Sequence, residues 1–419
     1  METSTYRRAL LAILLLALAI RLTGGYWWRQ RLPEDQRFGF ADSESYWHLA
    51  QTIRRGEPYQ FGSPDRRIFR TPGYPALLAS MFWLLDDDDP PLAAAHAFNA
   101  VLGVLAVAAV IALARLLFDR QASLWAGLAA ALYPGGVSMS VFVLSEAPFC
   151  PLMLLHLGLW AKAWREESAS AQMLWAVWAG NAAAAAVLVR PSWLLFTPFA
   201  LAIGWLVGGK RWTHVRVGVC MTGVLAAVMA PWWYRSYQLT GAFVPTTLQV
   251  GESLYDGLGP QATGGSDMRF VDRFRRELRT EDRVRGVSPQ APPFELRLDQ
   301  RMKEAAVQWA KENPVGAVRL AGVKLVRMWN IWPNEPSLRS WPLRLAVVLG
   351  YTPLFLLGCW GIRRFAGLGW AYWLCFLPAV YFTLLHCVFV SSIRYRQPAM
   401  LPLIVLAAGV LAQWRSKPN

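Results

Sequence analysis

The sequence predicts an all-α protein that crosses a membrane about ten times and carries two long loop regions with interfacial helices on one side. The first observation is composition: 55% of the 419 residues are hydrophobic and 16% are charged, whereas a soluble domain carries about a quarter charged residues. The second is that the apolar residues form long runs such as LLAILLLALAI and LPLIVLAAGVL, and about 20 apolar residues suffice to span a bilayer. The third is that Lys and Arg cluster where these runs end. A simple soluble domain is therefore excluded.

The first apolar run, residues 8–25, follows Arg7 and Arg8 and has the charge and length of a signal peptide. Arg21 interrupts it, and the bulky YWW at 26–28 stands where a signal peptide would carry small residues for cleavage. We therefore expect an uncleaved first span.

The remaining predicted spans continue to the end of the chain. They cover 92–117, 122–139, 145–164, 172–190, 192–208, 215–235, 341–361, 367–389 and 398–414. The basic residues of the short loops all fall on one side in this topology, which satisfies the positive-inside rule and places both termini in the cytoplasm. The net charge of 42 − 27 = +15 then reflects membrane topology and attraction to anionic headgroups, and no nucleic-acid partner is expected.

One short apolar segment decides this topology. PALLASMFWLL, between Pro75 and the acidic run 86–89, has only about a dozen residues, a length typical of interfacial or re-entrant segments. We therefore predict one continuous external loop over 26–91. Its first helix covers SESYWHLAQTIRRG, begins with a cap at Ser43 or Asp42 and ends at Gly56.

The second external region, 236–340, is the only other long polar stretch. It contains the Gly-rich GLGPQATGG, the charged VDRFRRELRTEDRVRG, and a predicted helix from Glu295 towards Lys311. We accordingly divide the chain into an N-terminal transmembrane module with the first external loop (1–235), this external region, and a C-terminal transmembrane module (341–419).

Two carboxylates stand where a spanning segment meets the outer surface. Asp42, in FADSESYW, has the alternative role of a helix cap. Glu146, in VLSEAPF, lies at the outer end of a span, where an ionisable group indicates function or a specific partner; the alternative is a solvated, snorkelling carboxylate.

Arginines stand at outer span ends or on external segments at Arg70, Arg190, Arg235, Arg394 and Arg396. Each alone is typical of an interface anchor. Together they place several forked donors on one face of the membrane, a set suited to capturing a phosphate. The sequence has no GxxxxGK[ST] and no GxGxxG after a strand, so a nucleotide site is not expected.

The order of these motifs along the chain is characteristic. DSESYWHLA is followed by RTPGYP, SEAP, the RP of LVRPSW, PWWYRSYQLTGAFVPTTLQVGESLYDGLGPQATGG and RYRQPAMLP. The chain thereby resembles membrane glycosyltransferases of the GT-C fold, and it is most similar to the group of protein O-mannosyltransferases and lipid A aminoarabinose transferases.

The resemblance implies an enzyme of the plasma (inner) membrane with its active site on the extracytoplasmic face. The implied donor is a polyprenyl phosphate carrying a hexose or pentose, the acceptor is a lipid, glycan or protein, and the anomeric carbon is inverted. A base must then take the acceptor proton, and cations must stabilise the departing lipid phosphate.

The resemblance also assigns roles to residues. Asp42 matches the proposed base and Glu146 the second carboxylate, while Ser43 separates Asp42 from Glu44 and leaves the role of Glu44 open. The predicted substrate-binding residues are Arg70, Tyr74, Arg190, Arg235, Arg394, Tyr395 and Arg396.

Other functions stay open at this stage. A secondary transporter or lipid flippase would also carry charged residues in its spans, although no inverted repeat is visible and the charges cluster at one face. A scaffolding role is a third option. No cofactor is identified, dependence on a divalent metal is open, and Asp256 has no assigned role.

Overall fold

The computed structural model describes residues 3–33, 36–207, 209–287, 291–332 and 340–415. Within these ranges all regular structure is helical, which confirms the predicted fold class. The predicted external loop 26–91 includes residues 34–35, and the region 236–340 includes 288–290 and 333–339, which lie outside the described residues.

The helices run in chain order through both the apolar and the polar parts of the sequence. They are α1 (Thr3–Arg29), α2 (Ala41–Arg54), α3 (Gly73–Leu85), α4 (Leu92–Leu117), α5 (Arg120–Leu132), α6 (Pro134–Val141), α7 (Glu146–Arg165), α8 (Ala169–Val189), α9 (Phe196–Val207), α10 (Arg211–Thr240), α11 (Val250–Gly257), α12 (Phe270–Arg285), α13 (Phe294–Glu312), α14 (Pro314–Trp329), α15 (Trp341–Phe365), α16 (Trp370–Val388) and α17 (Ile393–Arg415).

Seven helices among the described residues are long and apolar enough to cross a membrane, namely α1, α4, α8, α10, α15, α16 and α17. The helices α5 and α6 make an eighth span if they are counted together, with a bend of 55° between them. Helix α9 is shorter than this length, and α7 carries charges at both of its ends. The protein is thus a multi-span membrane protein, and the predicted number of ten crossings is not confirmed.

Helix α17 lies at the centre of the bundle. Of its membrane-spanning window 83% is buried, compared with 17% for α1 and α15. Small residues let α15 approach it closely: a Cβ at Gly361 would lie 2.8 Å from the Cβ of Leu406. Close backbone approach at glycine is a common way to pack spanning helices. The central position of α17 brings the RYR segment at its start into the interior of the protein.

The two long loop regions contact each other. The amide of Leu248 donates to the carbonyl of Ile68, with a nitrogen-to-oxygen distance of 2.9 Å. The carboxylate of Glu295, in α13, accepts the backbone N–H groups of Arg67 and Ile68. These bonds join the segment before α3 to the segment before α11 and to α13, so the two loop regions pack against each other.

The local predictions for these regions have mixed outcomes. PALLASMFWLL forms most of α3, a helix of 13 residues that is shorter than a span, and the predicted helix from Glu295 is confirmed as α13. The predicted cap of α2 is wrong. Its N-cap is Phe40, with no side-chain cap bond, because the Asp42 carboxylate is engaged by Arg70 instead.

Candidate active site

The predicted site residues that come together lie on five separate chain segments. Asp42 lies in the first turn of α2, Arg70 precedes α3, Glu146 begins α7, Arg190 directly follows α8, and Arg394 lies in the first turn of α17.

The RTPGYP motif brings two of these segments together. Gly73 opens α3 against the end of α8, and a Cβ at Gly73 would lie 2.6 Å from the carbonyl carbon of Leu188. A residue with a side chain would clash there, so glycine is required for this approach. The contact places the segment that carries Arg70 beside the segment that ends at Arg190.

Five side chains form a continuous row of alternating charge, in the order Arg70, Asp42, Arg394, Glu146 and Arg190, which we call the charge ladder. Arg70 Nη2 lies 2.6 Å from Asp42 Oδ1, and Arg394 Nη1 lies 3.3 Å from Asp42 Oδ2. Arg394 reaches Glu146 through two nitrogens, with Nη2 3.2 Å from Oε2, and Arg190 Nη1 lies 2.9 Å from Glu146 Oε1. Three guanidiniums face two carboxylates, which leaves one excess positive charge.

Neutral groups hold the ends of the charge ladder. Arg70 also donates to Ser45 Oγ at 3.1 Å and to Gln249 Oε1 at 2.9 Å. Arg190 donates to Ser145 Oγ at 3.4 Å. Gln249 comes from the second loop region, so both loop regions contribute to the site.

Exposure distinguishes the two carboxylates. The side chain of Asp42 is 38% exposed, whereas that of Glu146 is 1% exposed. The solvated alternative for Glu146 is therefore wrong, because this carboxylate is buried and held by Arg190 and Arg394. Asp42 is the more exposed of the two carboxylates.

The charge state of Asp42 follows from its neighbours. Burial raises the pKa of Asp42, but Arg70 and Arg394 together lower it by more, so the pKa of this carboxyl lies well below its ordinary value. The group is ionised at neutral pH and can accept a proton.

A cavity of about 410 Å³ opens beside the charge ladder. Its polar wall includes Glu146, Arg394, Arg327, Ser266 and Ser392. Arg327, in α14, packs against the turn at Gly264 and Gly265 in the second loop region. A Cβ at Gly265 would lie 2.7 Å from Arg327 Nη2. The cavity thus has two guanidiniums in its wall, one of them a member of the charge ladder.

A second cavity, of about 370 Å³ and mostly apolar, adjoins the first. It lies between α1, α6 and α15, and its wall includes Trp27, Leu132, Val347 and Tyr351. The two cavities share Ser138, Phe142, Ile393 and Gln397 in their walls. An apolar groove and a more polar chamber therefore lie next to each other and share these residues in their walls.

The two predicted binding tyrosines, Tyr395 and Tyr74, make different contacts. Tyr395 lines the polar cavity, and its ring lies under the guanidiniums of Arg394 and Arg190, each 5.7 Å from the ring centroid. Tyr74 is buried and exchanges hydrogen bonds with Asn99.

Arg235 and Arg396 make contacts outside the charge ladder. Arg235 donates to the carbonyls of Arg67 and Tyr59. Arg396 donates to the carbonyl of Met328, lies over the ring of Tyr351 at 3.6 Å, and lines the apolar cavity.

Sequence reasoning missed Arg327, Gln249 and Ser266. Arg327 stands in PVGAVRLAGVKLVRMW, whose mixture of apolar and basic residues is typical of an interfacial helix. This pattern could have indicated Arg327 as a candidate site residue.

Asp256, which had no assigned role, accepts hydrogen bonds from the Ser266 hydroxyl and the Asp267 amide, and so holds the turn at Gly264 and Gly265 in shape. Glu44 is exposed on α2. In the described part of the chain no three His, Cys, Asp or Glu side chains form a group that could hold a metal ion.

Two comparisons with known proteins gave matches: a family model matches part of the chain, and solved structures match nearly all of it. Residues 70–234 match the family model of dolichyl-phosphate-mannose-protein mannosyltransferases, a range that begins at Arg70 and includes Glu146 and Arg190. No curated protein sequence matches the chain.

Solved structures match over almost the whole chain. The apo oligosaccharyltransferase of Archaeoglobus fulgidus matches 99% of this chain and 51% of its own, with 17% identity and a TM-score of 0.63. AglB from that organism, in complex with an inhibitory peptide and a dolichol-phosphate, matches 98% of this chain and 52% of its own, with 18% identity and a TM-score of 0.59. ArnT from Cupriavidus metallidurans, bound to undecaprenyl phosphate, matches 98% of this chain and 79% of its own, with 15% identity and a TM-score of 0.49.

The chain spans about half the length of the archaeal structures that it matches. Likeness at this level of identity concerns the fold. The resemblance inferred from the sequence is thereby confirmed: this is a multi-span membrane protein with the GT-C glycosyltransferase fold, and its residues 70–234 match the dolichyl-phosphate-mannose-protein mannosyltransferase family.

Proposed function

We propose that the protein is a glycosyltransferase that moves a sugar from a polyprenyl-phosphate donor to an acceptor at the extracytoplasmic face of the plasma membrane, with inversion. The observation that carries the proposal is the charge ladder, which lies beside a polar cavity that adjoins an apolar groove. A lipid-linked sugar phosphate has the same sequence of chemistry, from apolar chain to anionic phosphate to polar sugar.

The donor fits the two cavities in a defined orientation. The isoprenoid chain occupies the apolar groove between α1, α6 and α15, where burial of apolar surface favours it by about 25 cal/mol per Å². The sugar phosphate occupies the polar cavity, where Arg394 and Arg327 present forked donors to phosphate oxygens.

The reaction is a single displacement at the anomeric carbon. The acceptor oxygen forms a bond to that carbon, the bond from the carbon to the phosphate oxygen breaks, and the polyprenyl phosphate leaves with the electron pair. Asp42 takes the acceptor proton, and the guanidiniums stabilise the charge that develops on the phosphate.

Donor binding also changes Asp42. The pKa of this carboxyl is low because Arg70 and Arg394 hold it ionised. A phosphate that draws Arg394 away removes part of that stabilisation, and the pKa of Asp42 rises. The carboxylate becomes a stronger base when the donor is in place.

The test of the proposal is sugar transfer by the purified protein in vesicles. The probes are undecaprenyl monophosphate carrying a radiolabelled hexose or aminopentose, with cell-envelope lipids, glycans and proteins as acceptors. We expect labelled sugar on an acceptor and release of undecaprenyl phosphate in equal amounts. Movement of the intact donor across the bilayer without covalent change would instead support a transporter or flippase.

The sidedness of the site is tested by thiol labelling. Glu44→Cys and Val284→Cys, introduced singly after the 5 native cysteines are replaced by alanine, should react with a membrane-impermeant maleimide in intact cells. Both positions are exposed and belong to the two loop regions. The matched control is Gln121→Cys, exposed at the start of α5, which should react only after permeabilisation. Labelling of position 121 with protection of position 44 would invert the topology and exclude an extracytoplasmic site.

A further inference from the structure

Arg21 is a buried cation that the proposed chemistry does not use. It lies in the spanning helix α1 and is 2% exposed. A charged side chain at membrane depth is costly and usually has a specific partner. Its partners are oxygens, because Nε donates to Ser140 Oγ at 3.2 Å, and the two terminal nitrogens donate to backbone carbonyls.

Two of those carbonyls belong to the break between α5 and α6. The guanidinium donates to the carbonyls of Ala130 and Ala131, each at 3.4 Å. Pro134, four residues after Ala130, has no N–H and cannot close the helical bond to that carbonyl. Backbone groups freed inside a membrane must be satisfied by the protein itself, and Arg21 supplies donors at this point.

The site around Arg21 has room for this contact. A Cβ at Gly103, in α4, would lie 2.5 Å from Arg21 Nε and would also clash with the Ser140 hydroxyl. Glycine at this position therefore makes space for the guanidinium and for its bond to α6. One side chain thus bonds both sides of the break: the end of α5 through two carbonyls, and α6 through Ser140.

Helix α6 contributes residues to the walls of both cavities of the proposed donor site. Gly135 and Val137 line the apolar groove, Met139 lines the polar cavity, and Ser138 lines both. The bend of 55° sets the direction of this helix. A change in the bend would shift all of these residues relative to the charge ladder.

We propose that Arg21 is a positioning residue, which replaces the helical hydrogen bonds lost at the α5–α6 break and thereby holds α6 as the shared wall of the donor site. The role in donor binding rests on the proposed function. The role in holding α6 does not, so the two are measured separately.

The position of α6 is measured by the reactivity of Ser138→Cys in protein without native cysteines. Arg21→Met, which keeps the bulk of the side chain and removes its donors, should change the rate of methanethiosulfonate labelling at position 138 about tenfold, the factor expected for loss of charged hydrogen bonds. Arg21→Gln should give a smaller change, because its amide still donates. Arg8→Gln, exposed on the same helix, is the matched control and should leave the rate unchanged.

The link to the break is tested in a Pro134→Ala background, where residue 134 regains an N–H for the Ala130 carbonyl. Arg21→Gln should then have a smaller effect on labelling than it has in the native background. Equal effects in the two backgrounds would show that Arg21 does not act through the break. Unchanged labelling in a folded Arg21→Met or Arg21→Gln protein would overturn the proposal directly.

Donor binding is measured with undecaprenyl phosphate as the probe. Its Kd should rise about tenfold in Arg21→Met, with elution volume and Tm as checks on folding. An unchanged Kd together with altered labelling would overturn the link to the donor site. If the native protein transfers no sugar, the labelling result still decides whether Arg21 holds α6.

Discussion

Replacing Asp42 by asparagine is expected to lower the rate of sugar transfer by about 10² to 10⁴, the contribution typical of a positioned general base. The amide has the size of the carboxylate and can still accept a hydrogen bond from Arg70 or Arg394, but it cannot take a proton from the acceptor. The measurement is kcat of the purified variant with a saturating donor. Binding of undecaprenyl phosphate should change by only a few-fold, because Asp42 is not the group that holds the phosphate.

The matched control for this variant is Glu44→Gln. Glu44 lies two residues further along α2 and is exposed, so its change removes the same type of charge outside the charge ladder. We expect transfer close to the native rate. If Asp42→Asn also keeps its activity within a few-fold, the assignment of Asp42 as the base is wrong, and its carboxylate serves only to pair Arg70 with Arg394.

Replacing Arg394 by alanine is expected to reduce kcat/KM by about 10² to 10³, as for loss of one preorganised group that stabilises developing charge. Arg394 is the only side chain that bonds both carboxylates of the charge ladder in the described part of the chain. Its removal takes away a donor to the leaving phosphate and also leaves Asp42 and Glu146 each with a single arginine partner. Transfer kinetics and the Kd of undecaprenyl phosphate should both be affected.

Lysine at position 394 should restore part of this loss and no more. An ammonium keeps the charge, but it cannot present the planar fork that reaches two carboxylates and a phosphate at once. The control is Arg363→Ala, an exposed arginine near the end of α15, which should leave transfer unchanged. Full activity of Arg394→Ala would remove this residue from donor binding and leave Arg327 as the principal cation of the cavity.

Several local features were predictable because they depend on the composition of short segments. The length of PALLASMFWLL predicted that it is too short to span, and α3 has 13 residues. The predicted number of ten crossings is not confirmed, because α7 and α9 do not have both the length and the apolar character of a full span. The packing of such helices against their neighbours depends on the tertiary structure, and the hydropathy of a sequence window does not report it.

The sequence by itself determined that this protein is helical, that it crosses a membrane many times, and that acidic and basic residues collect at the ends of its apolar runs. Those properties follow from hydrophobicity and charge along the chain, because a spanning helix must satisfy its own backbone and bury apolar side chains in lipid. Only the tertiary structure decided which of these charges meet. Arg70 and Arg394 share Asp42 although 324 positions of chain (394 − 70) separate them, whereas Arg396, two residues from Arg394, turns to the carbonyl of Met328. Neighbours on a helix point in different directions, so the partners of each arginine are set by the packing of α17 against the helices around it.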